Sequence, residues 1–157
     1  MPLPTTAAKR RTVRESFSRL PGHLIRRVHQ LSTAYFAGEC GDLTAVQYAA
    51  LVAIGAHPGI DATRLSAIIY FDRSTIGDVL DRMKGKGWIL RESTPDDRRI
   101  KRLRLSAAGR QVLQQVEPGI RRVQERLLAP LTAAEAKTLV RLLATMADAG
   151  EDDRGDD

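Results

Sequence analysis

Five cations, Arg98, Arg99, Lys101, Arg102 and Arg104, fall within seven positions directly behind the turn Pro95-Asp96-Asp97. Guanidinium and ammonium groups at that density bind oxyanions, and arginine can hold two acceptor atoms at once. A second polar set, Arg73, Ser74, Thr75 and Asp78, mixes donors with acceptors, which bare charge neutralisation would not require. Catalytic constellations are missing. There is no glycine-rich phosphate loop and no nucleophile motif, and the histidines lie apart. Cys40 lacks the companions of a zinc site, and His57 sits in a Pro-Gly turn without a second ligand at useful spacing. We therefore expect no enzyme, no metal and no cofactor.

The charge distribution favours an anionic partner. The chain of 157 residues carries a net +6, but from Asp148 onward it holds six acids and one arginine. Residues 1–147 therefore hold 24 cations against 13 acids, a net +11, and a basic body of that kind favours polyanions. A merely soluble basic protein would share this balance, so position has to decide. Hydrophobic residues at 43% and charged ones at 28% describe one globular domain of ordinary size. No apolar run approaches the roughly 20 residues that span a bilayer, and no apolar segment follows the N-terminal cations. The expectation is a cytoplasmic protein with no membrane partner.

The elements that must position the polar sets can be read in order. Residues 1–19 read as a flexible basic arm. From Leu20, the residues Leu24, Val28, Leu31 and Tyr35 recur at helical spacing, and Gly38 to Asp42 breaks that helix. Thr44 caps a helix with Val46, Tyr48, Leu51, Val52 and Ile54 on it, which His57-Pro58-Gly59 ends. Asp61 caps a short helix with Leu65, Ile68 and Ile69. Asp72 then starts another, with Ile76, Val79, Leu80 and Met83 on one face, stopped by Gly85 and Gly87. Ile89 to Leu105 reads as a β-hairpin whose return strand alternates Leu103 and Leu105 with Arg102 and Arg104.

Helix, turn, helix, hairpin is the order of a winged helix-turn-helix lobe, spanning 43–105. The fold class is mainly α with a small β-hairpin wing (α+β). Ser106 caps a long helix that Pro118 should bend or break near Glu117. Thr132 and Glu135 form a capping box for a last helix carrying Leu139, Leu142, Leu143 and Met146. The helices of 20–42 and 106–147 have apolar stripes too separated to make a core alone, so packing against a second copy, a homodimer, is expected. Residues 148–157 are an acidic tail, most simply a solubiliser.

In this order the chain resembles the MarR family of bacterial transcriptional regulators, over roughly Leu20 to Ala147. The likeness rests on Leu43-Thr44, Leu80-Asp81-Arg82 with Lys86-Gly87-Trp88, Asp97-Arg98-Arg99, Leu105-Ser106-Ala107-Ala108-Gly109 and Leu131-Thr132-Ala133-Ala134-Glu135. The resemblance implies a two-fold dimer with terminal helices interlocked above two winged-helix lobes. Pro21 to Arg27 and Tyr70 to Ser74 resemble the branch that represses nicotinate degradation. That branch implies an effector such as 6-hydroxynicotinate or a related pyridine carboxylate.

Duplex DNA, as a palindromic operator, is then the expected partner. Arg73 suits a guanine edge, Ser74 and Thr75 suit bases, phosphates or plain solvation of a helix start, and Gly77 permits close backbone approach. Asp78 must accept from cytosine or orient an arginine. Arg82 suits a structural or phosphate role. By resemblance, Asp97 holds Arg99 extended toward the minor groove or the backbone, with Arg98 the reserve for that insertion. Lys101, Arg102 and Arg104 suit phosphates or solvent. The resemblance also implies a site for a small aromatic acid where the first helix meets the lobe, at His23, Arg26, Gln47 and Tyr70, with Arg19 in reserve. Each also has an ordinary structural reading: ion pairs for Arg26, core for Tyr70.

Two alternatives stand beside this one. An architectural protein would coat DNA with little sequence preference. An oxidant sensor would act through Cys40, but that thiol is placed in the loop after the first helix, where Glu39 and Asp42 disfavour its thiolate.

Overall fold

The computed structural model describes residues 17–93 and 101–152, with side chains described as far as residue 149. Helix α1 spans Pro21–Cys40. Pro21 occupies the first helical turn, where its missing N–H has no partner to lose. The helix passes through Gly38, since one interior glycine costs only about 1 kcal/mol. It stops at Gly41, inside the stretch from Gly38 to Asp42 expected to break it, and the φ of 60° there favours a residue without a Cβ. Cys40 therefore ends the helix rather than sitting in a loop beyond it.

Helix α2 spans Ala45–Ala56 behind a reciprocal capping box: Thr44 Oγ1 accepts from Gln47 N at 3.2 Å, and Gln47 Oε1 accepts from Thr44 N at 3.1 Å. Asp61 caps α3, Ala62–Ile68, and Asp72 caps α4, Arg73–Gly85. Between α3 and α4 the chain reverses at Tyr70 with a left-handed φ of 52°, and Phe71 N donates to Ser66 O at 3.0 Å.

Strands β1, Ile89–Ser93, and β2, Lys101–Leu105, pair antiparallel from Ile89↔Leu105 to Ser93↔Lys101. The segment after α2 joins the other edge of β2. Gly59 N donates to Leu103 O and Leu103 N to Ile60 O, both at 2.8 Å. Leu103 is buried while Arg102 and Arg104 are exposed, as the alternation requires.

Helix α5, Ala107–Leu128, runs through Pro118 without the break that was one of the two outcomes expected there. A proline there removes one hydrogen bond. Packing on α1 offsets the loss, since Gly119 and Val123 are both buried on α5. Helix α6, Ala133–Asp152, starts at the Thr132–Glu135 capping box, with Thr132 N donating to Glu135 Oε2 at 2.8 Å. It continues past residue 147, so the first part of the expected acidic tail is helical.

The core gathers Leu51 and Ile54 from α2, Leu65 from α3, Leu80 and Met83 from α4, Ile89 from β1 and Leu103 from β2. Trp88, Leu105, Val112 and Leu113 close its edge. These side chains make the lobe one packed body. Among the described residues, helix α6 packs against no other element to a substantial extent, and its side chains stay exposed along most of its length.

Candidate nucleic-acid interface

Helix α4 buries Ile76, Leu80 and Met83 and turns Arg73, Ser74, Thr75, Gly77, Asp78, Asp81 and Arg82 outward. The sequence set at this helix therefore lies on one polar surface. Asp72 organises its start, accepting from Ser74 N at 3.3 Å and from the Ser74 hydroxyl, while Thr75 Oγ1 donates to Asp72 O at 3.1 Å. Those hydrogen bonds, the Ser74 hydroxyl foremost, hold the Asp72 carboxyl below the usual carboxylate range. In the free chain both hydroxyl protons are thus turned toward the cap, leaving lone pairs outward. The side chains of Arg73, Asp78 and Arg82 make no hydrogen bond or ion pair among the described residues. Asp78 therefore orients no arginine there. A Cβ on Gly77 would meet nothing within 4 Å, so its backbone is open to approach.

The hairpin is tied to this surface. Arg91 Nη1 donates to Asp81 Oδ1 at 2.6 Å, with the Arg91 side chain largely buried. Neither residue was singled out as functional in the sequence. The signal was present, because period-two alternation puts Arg91 on the same face as buried Ile89 and opposite buried Leu103. The described hairpin cations are held as well. Lys101 Nζ donates to Ser93 Oγ at 2.6 Å, Arg104 pairs with Glu92 at 3.2 Å, and Arg102 Nη1 donates to Gly59 O at 3.1 Å. Arg102 accordingly anchors the return strand to the chain after α2 and is no freely solvated cation. Asp97, Arg98 and Arg99 lie outside the described residues.

Between α3, α4 and the hairpin opens a cleft of about 630 Å³, floored by Leu80 and Leu103 and edged by Arg64, Gly77, Arg91 and Lys101. Arg64, which the sequence reading passed over, projects from the first turn of α3. Its side chain has no partner among the described residues.

The residues proposed for an aromatic acid are dispersed. At the start of α1, Arg26 Nη2 donates to His23 Nδ1 at 3.2 Å, and the Phe17 ring lies 4.4 Å from the His23 ring at 51°. Arg19 is exposed nearby in sequence. Gln47 is buried in the α2 capping box, and Tyr70 is 63% exposed, so it is not core. None of the five lines the cleft.

A different cluster joins α1 to α5. Glu39 pairs with Arg122 at 2.6 Å and with Arg126 at 3.6 Å, and the Arg126 guanidinium stacks over Tyr35 at 4.1 Å. The Arg122 hydrogen bond above all keeps the Glu39 carboxyl below its ordinary range. Burial, with Glu39 adding to it, pushes the neighbouring Cys40 thiol up. Asp42 takes no part in this. A buried thiol with a raised pKa is a poor oxidant sensor.

Residues 43–101 match the MarR family model. Over 127 residues, 81% of this chain and 94% of the other, the sequence is 32% identical to the transcriptional regulator HosA of Escherichia coli O111:H-. It is 30% identical over 132 residues to the HTH-type transcriptional repressor NicR of Pseudomonas putida, covering 83% of this chain and 84% of NicR. Among solved structures, that of Bordetella bronchiseptica BpsR, whose DNA binding is regulated by 6-hydroxynicotinic acid, superposes with a TM-score of 0.79 at 28% identity, covering 84% of this chain and 96% of that one. The winged-helix lobe, its polar α4 face and these matches together place the chain in the MarR family of transcriptional regulators.

Proposed function

We propose that this protein is a dimeric repressor that binds a palindromic operator and leaves it when a small aromatic carboxylate binds. The observation that carries the reading is the outward face of α4, with Arg73, Ser74, Thr75 and Asp78 unburied and the hairpin braced against it by Arg91 and Asp81. A helix so displayed fits the major groove, and its polar side chains suit base edges as well as phosphates. Arg73 is assigned to a guanine, Asp78 to a cytosine amine, Arg82 and Lys101 to phosphates, and the wing residues Asp97, Arg98 and Arg99 to the adjacent minor groove or backbone.

Dimerisation rests on the exposed stripes: Leu24, Ile25, Val28 and Leu31 of α1, and Leu139, Leu142, Leu143 and Met146 of α6. Apolar helix faces of that extent need a partner surface. For the effector, the BpsR likeness and the His23–Arg26 pair beside Phe17 support a flat ring bearing a carboxylate, 6-hydroxynicotinate being the first to try. Arg26 would pair the carboxylate and Phe17 would cover the ring; Arg19, Gln47 and Tyr70 complete the set if the partner chain closes over α1.

The test is fluorescence anisotropy on the DNA upstream of the protein's own gene and on a scrambled duplex, at one salt concentration, titrated with 6-hydroxynicotinate and a panel of benzoates. Preference for the upstream DNA and release by one acid are expected. Equal binding to both duplexes, unmoved by any acid, would overturn the proposal in favour of an architectural role.

A further inference from the structure

The end of α4 and the start of α5 meet at a joint built from one hydroxyl and one missing side chain. Ser106 Oγ accepts from Gly109 N at 3.0 Å, capping α5, and donates to Gly87 O at 2.5 Å, in the turn that ends α4. Ser106 N donates to Trp88 O at 3.0 Å. A Cβ on Gly109 would lie 2.1 Å from that same Trp88 oxygen, so the first turn of α5 sits directly on the backbone of the turn. Trp88 N in turn donates to Met83 O in α4 at 3.0 Å.

We infer that Ser106 is a positioning residue: its hydroxyl fixes the angle of the recognition helix against α5 and so sets the spacing of the two reading heads. This rests on the dimeric operator-binding reading. An operator's half-sites lie a fixed distance apart along the duplex, so both α4 helices must be presented at one spacing. Helix α5 lies against α1, and the Ser106 joint lies between that pair and α4. Nonspecific phosphate binding has no such requirement, because charge neutralisation tolerates a range of angles.

The two roles of Ser106 can be separated chemically. In Ser106→Asp the carboxylate still accepts from Gly109 N, and aspartate is as good an N-cap as serine. Yet it has no proton to give Gly87 O. Ser106→Thr keeps both roles, and Ser106→Ala loses both. Affinities for the upstream duplex and a scrambled duplex are measured at one salt concentration, with circular dichroism and thermal unfolding of each variant alongside. The specific-to-scrambled ratio should fall on the order of tenfold in the Asp and Ala variants and hold in the Thr variant, since one lost hydrogen bond is worth that much. The added charge of Asp weakens both duplexes and cancels in the ratio.

An unchanged ratio in Ser106→Asp overturns the inference and leaves Ser106 a plain cap. Should the Asp variant not fold, an unchanged ratio in Ser106→Ala does the same. A ratio lost equally in Ser106→Thr also overturns it. If the wild-type protein does not distinguish the duplexes, the repressor reading fails first, and that result is visible before any variant is made.

Discussion

Arg91 of β1 reaches Asp81 of α4 at 2.6 Å, across a gap of ten residues in sequence. Asp81 follows Leu80, which is anchored in the core, and Arg91 pairs across the hairpin with buried Leu103. The ion pair therefore connects two elements that are each fixed on their inner side, and what it fixes is their mutual angle. A winged helix contacts two grooves at once only when that angle is held.

Breaking this pair should cost little stability and more function. Asp81 is 67% exposed, so solvent screens the interaction and the loss in unfolding free energy should stay within about 1 kcal/mol. Operator affinity should fall on the order of tenfold in Asp81→Asn and in Arg91→Met. A double-mutant cycle by anisotropy decides between coupling and independent contacts: the double variant should lose no more than either single one. Strictly additive losses would mean that the two residues touch DNA separately.

Arg73 and Lys101 should fail in different ways. As a base reader, Arg73→Ala should cost about 1–3 kcal/mol on the operator and relax preference at a single base pair. Lys101→Ala should weaken operator and scrambled DNA alike, and lower the slope of log affinity against log salt by about 1. A salt slope that drops for Arg73 with no change in sequence preference would reassign it to phosphate.

Most of the architecture was legible because its signals are local. Thr44, Asp61, Asp72, Ser106 and Thr132 each cap the helix expected behind them, and the period of two in β2 placed Leu103 inward. A local preference misleads where packing overrides it. Pro118 is a poor helix residue, yet it does not break α5, whereas the stretch from Gly38 to Asp42 does end α1 as expected, at Gly41. Contacts between elements distant in sequence, such as Arg102 on Gly59 and Arg122 on Glu39, have no local signature and appear only once the chain is folded. The same holds for the aromatic-acid set: His23 and Arg26 are neighbours on one helix, whereas Gln47 and Tyr70 belong to other elements.

The Glu39 cluster should make the α1–α5 contact acid-sensitive. Because Arg122 and Arg126 lower the carboxyl's folded pKa, its contribution to stability is fully present above the ordinary value of 4.5 and is lost as pH falls through the lower folded value. Thermal unfolding of wild type and Glu39→Gln should therefore differ at pH 7 and converge below pH 4.5. A difference that persisted undiminished at the acid end would remove titration of Glu39 as its cause.

Two glycine substitutions of equal size should have opposite signs. A Cβ at Gly119 would lie 2.8 Å from Glu39 O, backbone that cannot move without separating α1 from α5. Gly119→Ala should destabilise by about 1–3 kcal/mol. At Gly85, the last residue of α4, a Cβ meets nothing within 4 Å and φ is not positive. Gly85→Ala should stabilise by about 0.4–1 kcal/mol through the unfolded chain. Chemical denaturation of both variants settles the comparison.

The apolar stripe of α6 carries the sharpest prediction for assembly. Leu139, Leu142, Leu143 and Met146 stand at positions i, i+3, i+4 and i+7, between 36% and 56% exposed in one chain. Full burial of a leucine or methionine is worth about 1.5–3 kcal/mol, so covering the roughly half of each that is still exposed, on four residues from each of two chains, can hold a dimer. Leu142→Glu would place a charge in the middle of that seam, where it has no partner. Sedimentation equilibrium at micromolar concentration should then report a monomer, and affinity for a full palindrome should collapse toward that of an isolated half-site, since the two lobes no longer bind as one. The lobe itself should keep its helical circular dichroism, because α6 contributes nothing to the core around Leu51, Leu80 and Met83. A Leu142→Glu protein that stays dimeric and holds the full operator as tightly as wild type would show that α6 is not the seam.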